Sequence, residues 1–175
     1  MDAFQKFPPA YFITISTYGT WLPGDSRGSV DRKSSFFGTD SRPARPALEQ
    51  ASRDAMKSTP VTFNQDARRV VLGSFIEVAE FRGWRLWAAH VRTEHVHIVI
   101  EAAADEDKVL RDLKARATRL LREAELVSPD QPVWVHHGST RKLWKAEDVE
   151  AAVIYTLEEQ GTPMAWYDGR KGKAV

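Results

Sequence analysis

Cysteine is absent from the 175 residues, which removes disulfides, thiolate zinc sites, iron–sulfur clusters and cysteine nucleophiles together. Any metal must then be held by His, Asp, Glu, Gln or Asn. No stretch approaches the roughly 18 uninterrupted apolar residues of a membrane span, and the opening MDAFQKFPPA lacks the charged-then-apolar layout of a signal peptide. The expected location is the cytoplasm, with no membrane partner. A Walker loop, a G-x-G-x-x-G turn and a G-x-S-x-G elbow are all missing, so no nucleotide cofactor is expected. Charge of one sign is lacking too: 25 Lys+Arg against 24 Asp+Glu leave +1. Contact with nucleic acid would have to come from local patches.

What is present suits an ordinary folded domain. With 42% hydrophobic and 28% charged residues, residues 1–175 read as one domain that buries about 70% of the surface its unfolded chain exposes. Tyr11 to Thr17 (YFITIST) predicts a strand with Tyr11, Ile13 and Ile15 on one face. Tyr18 to Pro60, rich in Gly, Pro and Ser, predicts an inserted loop region at about 18–60 carrying one short helix over 47–57. After a short strand around 61–63, Asn64 is placed to cap a helix over 65–81, which Gly83 ends. Strands follow over 84–92 and 95–101. A helix opened by Asp105 carries a Leu110, Leu113, Ala117, Leu120, Leu121 and Ala124 stripe. Extended pieces over 133–135 and 141–144 precede a last helix over 146–160, stopped by Gly161 and Pro163. The order predicts a βαββαβ α+β sandwich, an antiparallel sheet with helices on one face.

Residues two apart on a strand project from one face about 6.5 to 7 Å apart. His95 and His97 therefore point the same way, within reach of one ion at about 2.1 Å, while Val96, Ile98 and Ile100 take the apolar face. Two surface imidazoles would share this pattern. On the last helix, Val149, Val153 and Leu157 form the core stripe. Tyr155 lies opposite it, with Glu159 one turn on, while Gln160 falls about 140° from the tyrosine, near the stripe. Lys108, Arg111, Lys114, Arg116, Arg119 and Arg122 face a single acid, Asp112, within residues 108–122. Such an excess suits phosphate contact, or a solvated helix face. Arg141, Lys142 and Lys145 with Trp144 among them combine cations and a ring, as single-stranded nucleic acid requires.

The histidine pair His95-Val96-His97 followed some 60 residues later by a helical tyrosine resembles the HUH superfamily. The stretches TYGTWLPGDSRGSVDR, RGWRLWAAHVRTEHVHIVIE and HGSTRKLW...YTLEEQG resemble its single-tyrosine transposases, including the insertion-sequence and REP-associated tyrosine transposase-like proteins. The resemblance implies a ferredoxin-like fold plus a terminal helix carrying the tyrosine. It also implies a Mg²⁺- or Mn²⁺-dependent endonuclease and strand transferase that cuts single-stranded DNA beside hairpins through a 5′-phosphotyrosine. His95 and His97 match its metal-binding histidines and Tyr155 its nucleophile. Where many members place a glutamine four residues after the tyrosine, this chain has Glu159, with Gln160 next, so both are candidates for the third ligand. The expected partner is hairpin-bearing single-stranded DNA, and a homodimer is compatible with the sequence.

Two rivals use the same residues. One is a protein that holds hairpin DNA without cutting it. The other is a two-histidine phosphoesterase, to which His137-Gly138-Ser139 is a partial match, although His97 stands where its first motif needs a hydroxyl.

Overall fold

The computed structural model describes residues 6–25 and 45–175, so the middle of the 18–60 insert, residues 26–44, lies outside the described residues. Within them the elements are β1 (Ala10–Ser16), α1 (Pro46–Asp54), α2 (Gln65–Arg82), β2 (Arg85–Val91), β3 (His95–Glu101), α3 (Glu106–Glu123), β4 (Ser139–Leu143), α4 (Ala146–Glu158), β5 (Ala165–Asp168) and β6 (Lys173–Ala174). One sheet runs in the order β4-β1-β3-β2-β5-β6 with every neighbouring pair antiparallel. The α+β class and the ferredoxin-like β4-β1-β3-β2 core agree with the sequence.

Local signals set the boundaries. Asn64 Oδ1 accepts the Ala67 N–H at 2.8 Å, and Asp105 Oδ1 accepts the Lys108 N–H at 2.8 Å, so each side chain satisfies a donor that a helix start leaves open. Gly83 ends α2 at φ 65°, a left-handed conformation that costs glycine nothing.

The two faces of the sheet differ. Tyr11, Ile13, Ile15, Val96, Ile98 and Ile100 meet Val71, Phe75, Leu113 and Leu121 of α2 and α3 in the large core. On the opposite face, Ala10, Ala88, Val99 and Leu143 pack against Val149 and Val153 of α4 in a smaller cluster. The tyrosine helix therefore covers the face that α2 and α3 leave open.

Three elements depart from expectation. Residues 133–135 contribute one isolated bridge, Thr17 to Trp134, instead of a strand, and residues 61–63 form no strand. The chain also continues past α4 into the β5–β6 hairpin, which pairs with β2. The aromatic AWYD followed by Gly169 and Gly172 carries the signal for that hairpin.

Candidate functional site

Antiparallel pairing places the site residues side by side. Thr14 is opposite His97, Ser16 is opposite His95, and on the other side His90 is opposite His97. Cross-strand partners share a face, so all of these lie on the α4 face. The His95 and His97 ring centroids are 4.9 Å apart. Tyr155 reaches down from α4 to 5.6 Å from His97, edge to face, and Phe12 packs against both, stacked on His97 at 5.7 Å and edge-on to Tyr155 at 5.7 Å. Trp21 approaches His95 edge-on at 6.5 Å. The strand and helix periods thus bring together the three residues singled out from sequence.

His97 is buried and its Nδ1 lies 2.9 Å from the Thr14 hydroxyl. Burial first, and then the neighbouring His95, His90 and Arg92, push its imidazole down to about 3, with a hydrogen bond to the Gln160 side chain pulling the other way. The ring is therefore neutral at physiological pH. With Nδ1 engaged by Thr14, its other nitrogen can serve as a ligand, the arrangement in which an outer hydrogen bond orients a metal-binding histidine.

The last turn of α4 changes the choice between Glu159 and Gln160. A regular helix through residue 160 would keep Glu159 beside Tyr155 and turn Gln160 toward the core. Instead α4 ends at Glu158, Glu159 caps it at φ −102° and ψ 11°, and its side chain is exposed. Gln160 donates from Nε2 to the Tyr155 carbonyl at 3.0 Å and turns its amide to His97. With the nitrogen so engaged, the amide oxygen is the atom left for the site. Among the described residues no three His, Cys, Asp or Glu side chains gather at one point, so Glu159 does not stand beside the histidine pair in this arrangement. His95, His97 and Gln160 are the residues that fit a divalent ion. Two neutral nitrogens and an amide oxygen leave the charge of such an ion uncompensated, which suits an anionic ligand.

A groove of about 1760 Å³ lies at the β4 edge beside the site; His95, His97 and Tyr155 do not line it, while Thr14, Ser16, Trp21 and Leu22 line one part. Arg111, Lys114, Arg119 and Arg122 of α3 line the other. The basic helix is divided. Lys108 pairs with Asp112 at 2.6 Å, and Arg116 pairs with Glu77 of α2 at 2.7 Å. Neither lines the groove. Lys114 donates to the carbonyls of Val135 and His136 at 2.9 and 3.2 Å, and burial lowers its ammonium below the usual lysine range. It braces the groove wall. Arg119, although it lines the groove, pairs with Glu123 at 2.7 Å.

The second basic stretch also divides. Arg141 is opposite Phe12 and so shares the site face, whereas Lys142 is opposite Tyr11 on the other face and pairs with Glu106 at 3.0 Å. Lys145 lies 3.6 Å from Glu147, and Trp144 is largely exposed.

His137-Gly138-Ser139 does not form the second motif of a phosphoesterase. The Val135 N–H bonds the Ser16 carbonyl while Ser139 is already opposite Thr14. Residues 136–138 therefore fill the place of one residue and bulge from the sheet edge. A Cβ at Gly138 would stand 2.9 Å from the Thr14 carbonyl and 3.2 Å from Leu110, so the crossing needs glycine. His136 and His137 project exposed into the groove mouth, with β1 between them and β3.

Phe12, Thr14 and His90 are site residues that the sequence reading passed over. The alternation of YFITIST, which assigns Tyr11, Ile13 and Ile15 to the core, already places Phe12 and Thr14 on the other face. His90 offers only strand parity as a signal.

No helix among the described residues is long and apolar enough to cross a membrane. No protein-family model matches the chain, and none of the curated proteins does. A solved structure, that of a REP-associated tyrosine transposase bound to a REP hairpin, is similar with a TM-score of 0.51 and 13% identity over 91% of this chain and 72% of that one. The chain thus shares the fold of a tyrosine transposase.

Proposed function

We propose that this chain is a divalent-metal-dependent, transposase-like endonuclease and strand transferase acting on single-stranded DNA beside hairpins, with Tyr155 as nucleophile. The observation that carries the reading is the convergence of Tyr155 on the His95–His97 pair across two separate elements, α4 and β3. The shared fold with a hairpin-bound tyrosine transposase supports it, as does the groove with Arg111 and Arg122 on its wall.

His95, His97 and Gln160 would hold Mg²⁺ or Mn²⁺, and such an ion would relieve the phosphodiester's negative charge. The protein's own part is placement. Phe12 fixes the Tyr155 ring by edge contact, and Thr14 holds the His97 ring through its Nδ1. The Tyr155 oxygen bonds to phosphorus and gives up its proton, the bond to the 3′-oxygen breaks, and that oxygen takes up a proton. The resulting 5′-phosphotyrosine conserves a phosphoester bond, so a second 3′-hydroxyl can displace the phenol and reseal a strand without ATP. Arg111 and Arg122 would track phosphates of the single strand, and Arg141 those nearest the tyrosine.

The test is to mix the protein with single-stranded hairpin oligonucleotides and Mg²⁺ or Mn²⁺. A denaturation-resistant protein–DNA adduct supports the reading. Binding without adduct or cleavage would leave the non-cleaving hairpin binder.

A further inference from the structure

His90 is fully buried in the middle of β2, and both ring nitrogens are committed to backbone. Nδ1 lies 3.0 Å from the Thr156 carbonyl, which can only accept, so Nδ1 carries the proton. Nε2 receives the Met164 N–H at 3.2 Å and so acts as acceptor. Although it faces His97 across the sheet, His90 has no lone pair left for a metal. Its partners lie on either side of the segment that matters. Thr156 C=O is among the last four carbonyls of α4, which a helix leaves without internal partners. Met164 begins the return to β5. Two further ties hold the same segment to the end of β2. Arg92 donates to the Thr162 carbonyl at 2.9 Å, and the Thr93 hydroxyl to Met164 Sδ at 3.7 Å.

We infer that His90 is a positioning residue: its two backbone bonds pin the end of α4 and the turn after it to β2, holding Tyr155 and Gln160 in register with His95 and His97. Tyr155 precedes the pinned carbonyl by one residue, and Gln160 lies between the two pinned points. A shift of about 1 Å at a reacting group costs on the order of 100-fold in rate, so the pin matters well beyond its own hydrogen bonds. The inference rests on the proposed tyrosine chemistry, but metal affinity and local backbone opening read it separately.

The experiment compares His90→Phe, which keeps a ring and loses both bonds, with His90→Asn, whose amide nitrogen replaces Nδ1–H toward Thr156. His90→Phe should bind the hairpin oligonucleotide within about twofold of wild type, bind Mn²⁺ at least tenfold more weakly and form adduct about 100-fold more slowly in single turnover. Its Glu159 amide should exchange at least tenfold faster while α3 is unchanged. His90→Asn should recover most of each loss. Wild-type Mn²⁺ affinity and Glu159 exchange in His90→Phe, or equal loss in both variants, would overturn the inference. Should His90→Phe not fold, His90→Gln, which reaches only toward Met164, replaces it. Equal behaviour of the Asn and Gln variants then overturns it. A wild-type protein that forms no adduct defeats the tyrosine chemistry alone, because the exchange comparison still decides the role of His90.

Discussion

Gln160 reaches the His97 ring from beyond the end of α4, although it sits one residue past the position that a continuous helix would aim at the site. The cap at Glu159 reverses the roles of two neighbouring residues. Gln160→Ala should therefore weaken Mn²⁺ binding at least tenfold, while Glu159→Ala stays within about twofold of wild type. Calorimetric titration of the metal-free protein measures both. The opposite ranking would restore Glu159 as the third ligand.

Tyr155→Phe removes only the hydroxyl and leaves the ring against Phe12 and His97. Stability should change by less than about 0.5 kcal/mol, and hairpin affinity should persist while the covalent adduct vanishes. Tyr155→Ala should in addition lose about 1 kcal/mol or more of ring packing. Persistent adduct in the Phe variant, seen on a denaturing gel, would rule out this tyrosine.

The groove arginines separate phosphate contact from helix-to-helix pairing. Arg111→Glu combined with Arg122→Glu should weaken single-strand binding across sequences and flatten the salt dependence by roughly 0.7 per lost contact. Arg116→Glu sets two acids together at Glu77, so it should lower stability by about 0.5 kcal/mol with the salt slope unchanged. Equal slopes for all three proteins would make α3 a solvated face.

Acid should destabilise the fold. His97 binds its proton only near pH 3 in the folded protein, against 6.5 as a free side chain, and burial lowers His90 in the same sense. Below about pH 6.5 the unfolded chain therefore binds more protons than the folded one. The stability due to neutral His97, complete above pH 6.5, is lost as pH falls toward 3, with a slope of at most about 1.4 kcal/mol per pH unit for each such histidine. Urea denaturation of metal-free protein at pH 7.5, 5.5 and 4.5 measures the slope, and His97→Gln should reduce it.

Much of this site was legible because its parts are periodic. The two-residue repeat of β3 alone separates His95 and His97 from Val96, Ile98 and Ile100, and the stripe of α4 leaves Tyr155 on its free side. Gln160 was misplaced because a helical angle was carried past the residue where the helix stops. The pairing of Arg116 was hidden for another reason: its neighbour Glu77 is 39 residues away in the chain, and no local pattern announces that contact. His90 was invisible because its role consists of bonds to two backbone groups more than 60 residues distant.

The unequal faces of the sheet bear on how such a molecule can change over evolutionary time. The larger core lies under α2 and α3, whereas Tyr155, Gln160 and the histidine pair occupy the face with the smaller cluster. Replacing chemistry-bearing side chains there leaves the larger core untouched. On the proposed chemistry, a lineage that loses the tyrosine would thus keep a folded sheet and its groove arginines, and could pass from cutting DNA to merely holding it without crossing an unfolded intermediate.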